Sequence, residues 1–200
     1  MTSTRKEACG DTTTMTPTDV VGFWREAGAD TWFKRDDEFD ADFSRRFGGA
    51  HHAAARGECE SRLETAEGAL ALQILLEQFP RNVFRGSAHS YATDGLARHY
   101  AHRAVDAGLD QQIEGPMRAF LYMPFEHSES LADQNRAVTL VEALGDDGFT
   151  RFAELHRDLM PRALPAVVQR FGRFPHRNRA LGRESIQDEL EYLASGGFAG

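Results

Sequence analysis

Thr65-Ala66-Glu67-Gly68-Ala69-Leu70-Ala71-Leu72-Gln73-Ile74-Leu75-Leu76-Glu77-Gln78-Phe79-Pro80-Arg81-Asn82 is the stretch on which the fold turns. Thr65 has the chemistry of a helix N-cap, a hydroxyl placed to accept an otherwise unpaired backbone N–H. Behind it Leu70, Leu72, Ile74, Leu75 and Leu76 are apolar on most sides of a helix running from Ala66 to Gln78. A helix that is apolar all round is a buried helix, so this segment predicts the middle of a helical core. A residue before proline is pushed out of the α region, which predicts that Phe79 stops the helix.

Working outward, the same 3.6-residue spacing continues on both sides. Thr16-Pro17-Thr18-Asp19 opens a first helix, with Thr16 as cap, Pro17 at the first position and Asp19 three residues on. That helix carries Val20, Val21, Phe23 and Trp24 and fades at Gly28. Asp36 and Asp37 open a second, with Phe39, Phe43 and Phe47 on one stripe, ending near Gly57. On the C-terminal side a fourth helix is predicted from Ala92 to Ala107, closed by Gly108. A fifth begins at Pro116, carries Phe120, Leu121, Tyr122 and Phe125, and is kinked or closed early by Pro124. Ser130-Leu131-Ala132-Asp133 starts a sixth. A seventh covers Phe149 to Phe171, interrupted by Pro161 and Pro165, and an eighth Ser185 to Ala194, capped by Ser185 with Asp188. No alternating polar-apolar run is long enough for a strand. The reading is all-α, about eight helices packed as antiparallel hairpins.

Two hundred residues with 41% hydrophobic content fit a single helical domain, residues 16–200. Residues 1–15 read as a disordered tail, and Met15 stands where an alternative start would lie. No apolar run reaches the ~20 residues a membrane span needs. A net charge of −8 argues against nucleic acid and anionic lipid as general partners. Cys9 and Cys59 read as reduced thiols, and the expected compartment is the cytoplasm.

Phe79-Pro80-Arg81-Asn82 has an echo in Phe174-Pro175-His176-Arg177-Asn178. Arginines crowd both. One reading has Arg81, Asn82, Arg85, Arg173, His176, Arg177 and Asn178 converging on a pocket, because the planar guanidinium fork binds carboxylate or phosphate bidentately. The protein is then a binding module for an acidic peptide, a protein or a small anionic ligand, with no cofactor and no metal. The competing reading makes these arginines staples, capping helix ends and pairing with acids such as Glu77 and Glu126.

Glu126-His127-Ser128-Glu129 suggests a different class, a metal-independent hydrolase or lyase with Glu126 and His127 as acid and base. Neighbours on a helix point about 100° apart, so both serve one substrate only if the chain turns after Pro124. No glycine-rich oxyanion motif accompanies Ser128. His99/His102 and His51-His52 lack a third ligand at metal-binding spacing. His156-Arg157-Asp158 lacks the glycine-rich loop and lysine of a kinase. A third reading is a domain for assembly alone, forming a homodimer through an apolar patch.

Three segments taken together resemble a known family. They are Leu75 to Gly86, Ala119 to Gln134, and Arg170-Phe171-Gly172-Arg173-Phe174-Pro175-His176-Arg177-Asn178 with Leu181 to Ser185. With the Phe23-Trp24 and Trp32-Phe33 pairs, they resemble the bacterial domain-of-unknown-function family numbered 924, from Thr16 to Gly197. The resemblance implies a tetratricopeptide-like superhelical array of helices and assigns no activity. One departure stands out: Leu159 to Gln169 separates His156-Arg157-Asp158 from the last arginine-rich segment, as an insertion would.

Overall fold

The computed structural model describes residues 15–144 and 160–198, and every regular element among them is helical. Helix α1 (Pro17–Ala27) begins with a reciprocal cap. The Thr16 hydroxyl accepts the Asp19 N–H at 3.2 Å, and the Asp19 carboxylate accepts the Thr16 N–H at 2.7 Å. A side-chain cap is worth ~1 kcal/mol, and three further helices have one-way caps. Asp36 caps α3 (Asp37–Ala55), Thr65 caps α4 (Ala66–Gln73), and Ser130 caps α8 (Leu131–Glu142). The short α2 (Ala29–Trp32) follows α1 through Gly28, whose φ of 74° only glycine adopts freely.

The central segment departs from expectation at Phe79. Instead of stopping, the chain passes through a π-helical turn (Ile74–Gln78) into α5 (Phe79–Val83), with Phe79 at helical φ −52° and ψ −51°. Its N–H reaches five residues back to Ile74 O, and Pro80 has no N–H to offer the carbonyls behind it. Side chains from elsewhere supply the missing donors. His51 Nδ1 lies 2.8 Å from Leu75 O, and the Thr93 hydroxyl donates to Leu76 O at 2.5 Å. A helix stop inferred from proline alone fails here because the cost of the lost bonds is met by tertiary partners.

Beyond α5 come α6 (Asp94–Asp106), a 3₁₀ segment (Gly115–Leu121), α7 (Met123–Glu126), α8, α9 (Met160–Phe171) and α10 (Gln187–Ala194). The fifth expected helix is thus largely 3₁₀, with Pro124 inside the single turn of α7. The eighth begins two residues late. Ile186 is its first flanking residue, and Glu189, not Asp188, reaches back to the Ile186 N–H at 3.0 Å. The N-terminal part of the expected seventh helix, Met15's upstream tail and His156-Arg157-Asp158 lie outside the described residues. Cys59 is fully buried. The chain's other cysteine, Cys9, also lies outside the described residues.

The described chain forms two compact units, one boundary falling inside α7. The first holds residues 15–85 and 89–124, the second residues 86–88 and 125–198. In the first unit α4 packs against α1 and α6, and α3 against α5. Trp24, Phe43, Leu70, Leu72, Ile74, Leu75 and Phe79 are fully buried there, each such side chain contributing ~1.5–3 kcal/mol. Phe43 meets Phe79 edge-on at 5.0 Å and Trp24 meets Phe120 edge-on at 5.5 Å, the arrangement aromatic quadrupoles favour. In the second unit α8 packs on α9, and Leu164, Val167, Val168 and Phe174 form a core with Phe171, Tyr192 and Phe198 against it. Gly172 (φ 69°) ends α9, and Phe174 is extended (φ −92°, ψ 107°). Of the two Phe-Pro steps, then, only the second is a turn.

Candidate functional site

In the first unit Arg81, Asn82 and Arg85, in and just after α5, are held by acids. Arg81 forks onto Asp94, its two terminal nitrogens 3.0 Å from the two carboxylate oxygens. The same guanidinium lies 2.7 Å from the buried Glu77 carboxylate and donates to the Glu77 carbonyl at 3.1 Å. Asn82 Nδ2 donates to Asp40 at 2.8 Å, and Arg85 forks onto the same carboxylate at 3.0–3.2 Å. These bonds fasten α5 to α3 and α6. Glu77 was legible as a partner one helical turn away; Asp40 and Asp94 were not.

The second unit gathers the other candidates around one turn. Arg173 forks onto Glu189 at 2.7 and 2.9 Å and reaches the Glu184 carbonyl at 2.9 Å. Asn178 Nδ2 donates to Glu189 at 3.0 Å and to the Ser185 hydroxyl at 3.1 Å. With Arg173 as the main cause, the Glu189 carboxyl is held down to about 2. Arg183 forks onto Glu129 at 2.7 and 2.9 Å, and Glu129 also accepts the Phe174 N–H at 2.8 Å. Arg177, buried, lies over the Phe174 ring at 4.5 Å and donates to the His127 carbonyl at 2.9 Å.

His176 sits among these groups. Burial first, then Arg177 and His127, push its imidazole down to about 4, Arg183 adding to the effect and Glu129 opposing it. It is therefore neutral at pH 7. Its Nδ1 and the Oδ1 of Asn178 are closed from solvent and have no hydrogen-bond partner among the described residues.

The segment Glu126-His127-Ser128-Glu129 does turn after Pro124, and it meets the Arg173–Arg183 segment. Glu126 is buried and His127 half-buried. The Ser128 hydroxyl donates to Asp133 at 2.7 Å and accepts the Ser130 N–H at 3.1 Å. Gln134 Nε2 donates to the Glu126 carbonyl and, at 2.7 Å, to the Ser128 carbonyl. This is the hydrogen bonding of a helix-loop-helix corner, with Ser128 directed at a carboxylate rather than an imidazole. Among the described residues no group of three His, Cys, Asp or Glu side chains is arranged to hold a metal ion. Nor, among the described residues, is any helix long and apolar enough to cross a membrane. Ile186 and Leu190, one turn apart on either side of the start of α10, are the most exposed large apolar side chains.

The sequence placed Arg173, His176, Arg177, Asn178, Glu126 and His127 on the list and the structure assembles them in one unit. Arg81, Asn82 and Arg85 belong to the other, where Arg81 meets Glu77 and Asp94, and Asn82 and Arg85 share Asp40. Glu129 and Arg183, which lie inside the quoted segments, and Glu189, four residues beyond them, were not read as partners of the turn.

The solved structure of a protein of unknown function, ATU0120, from Agrobacterium tumefaciens is similar to this chain. It is 49% identical, superposes with a TM-score of 0.78, and the match covers 90% of this chain and 97% of that one. No curated protein matches the chain. Residues 20–197 match the family described as "Bacterial protein of unknown function (DUF924)", and the chain belongs to that family.

Proposed function

We propose that this protein is a binding module, and that its ligand is a small anion or the acidic end of a peptide, received at the Arg173–Arg183 turn. The observation that carries the reading is that Arg173, Arg177 and Arg183 gather at one turn in which His176 Nδ1, closed from solvent, has no hydrogen-bond partner among the described residues. Arg173 and Arg183 are each balanced by a carboxylate. Arg177 bonds the His127 carbonyl, and a guanidinium beside an imidazole N–H suits the oxygens of an anion. Arg81, Asn82 and Arg85 act on this reading as a clamp within their own unit.

Calorimetric titration of the full chain with phosphate, malonate and a tri-glutamate peptide tests it. Saturable binding of one anion class, weakened at least about tenfold in Arg177→Ala and partly retained in Arg177→Lys, is the expected result. Lack of saturable binding by any of the three, with the chain folded, removes the reading.

A further inference from the structure

In the first unit, α1, α2, the start of α4 and the turn 112–117 enclose a cleft of about 710 Å³. Sites for small organic ligands run to roughly 300–1,000 Å³ and are apolar with a few placed polar groups. This one fits that description. Trp32, Leu70 and Ile113 are among its apolar lining, and Arg25, Glu67 and Glu114 are its ionised groups. Trp32 spends its indole N–H on the Trp24 carbonyl at 2.6 Å, leaving the cleft only ring surface. The Thr18 hydroxyl donates to Glu67 at 3.0 Å, which orients a carboxylate that still has acceptor sites to offer.

One guanidinium and two carboxylates around an apolar wall set the ligand's charge pattern. A fatty acid satisfies Arg25 but faces two like charges. An alkyl amine satisfies the carboxylates but faces Arg25. A molecule with one carboxylate, one ammonium and an apolar body meets all three groups with opposite charge. We propose that the cleft binds such a zwitterion, a free amino acid with a large apolar side chain or a short apolar peptide with free ends. The inference concerns a different unit from the anion site and stands without it.

The test is calorimetric titration of the full chain with L-leucine, L-phenylalanine and the dipeptide Leu-Leu, with hexanoate and hexylamine as singly charged controls. Tryptophan fluorescence follows the same titrations, because Trp32 is one of only two tryptophans. Saturable binding is expected for the zwitterions, with both controls weaker by about tenfold or more. Arg25→Ala and Glu114→Gln, both at exposed positions, should each weaken it comparably while leaving the thermal midpoint in place. Relative affinities of leucine and Leu-Leu decide between amino acid and peptide. Absence of saturable binding by every zwitterion overturns the proposal, as does hexanoate or hexylamine binding as tightly as leucine, or an Arg25→Ala variant that binds like the parent.

Discussion

The hydroxyl of Thr93 lies 2.5 Å from the carbonyl oxygen of Leu76, supplying the donor that Pro80 cannot. A helix that would break at its proline instead stays continuous, and the core residue Phe79 keeps its place against Phe43. Thr93→Val keeps the shape and removes the donor, leaving a buried carbonyl unpaired. The expected loss is ~1–3 kcal/mol in chemical denaturation, with Thr93→Ser retaining most of the parent stability. Equal stability of the parent and the valine variant would mean that another group satisfies Leu76.

Arg81 compensates Glu77, a carboxylate only 1% exposed, and its loss leaves that charge buried and without this partner. Arg81→Ala should therefore cost ~3 kcal/mol or more, and Arg81→Ala with Glu77→Gln appreciably less than the sum of the two single changes. A double-mutant cycle measures this directly. Additive losses would show that the ion pair is not what holds α5 in place.

Much of the fold was legible because its signals are local. The caps at Thr16, Asp36, Thr65 and Ser130 depend on residues two or three positions away, and each helix starts where they predicted. Phe79 was misread because its rescue is not local: His51 stands 24 residues from Leu75, and Thr93 stands 17 from Leu76. The same distance effect hid the partners of the arginines. Glu77 is one helical turn from Arg81, whereas Arg85 finds its acid 45 residues away and Arg183 finds its own 54 away. The cleft was invisible because its lining comes from four separate segments, none of which carries a motif.

Glu189 predicts a specific acid sensitivity. Its folded value of about 2 lies below the ordinary 4.5, chiefly through the Arg173 hydrogen bond. A lowered carboxyl stabilises the fold above its unfolded value, and that contribution is lost as pH falls from about 4.5 toward 2. Glu189→Gln should flatten the stability profile across that window and leave its shape near neutrality unchanged. Denaturant midpoints at a series of pH values check it, and an unaltered acid limb in the variant would count against the pairing.

His176 sets a second window with the same direction and a different cause. Burial, Arg177 and His127 lower it from 6.5 to about 4, so the unfolded chain takes up the proton first. Stability from this group is complete above about pH 6.5 and declines as pH falls toward 4. His176→Phe, which cannot be protonated, should remove that part of the slope in the same denaturation series. A slope unchanged by the substitution would place the titrating group elsewhere.

The most direct measurement is the titration of ¹⁵N-labelled His176 by NMR, with and without saturating phosphate or malonate. In the free protein the imidazole should stay neutral until the pH approaches about 4. An anion seated beside Arg177 brings negative charge next to the ring, so the midpoint should move upward, and Arg177→Lys should shrink the movement. An identical midpoint and unchanged ring resonances with every anion, in a folded protein, would contradict an anion site at this turn.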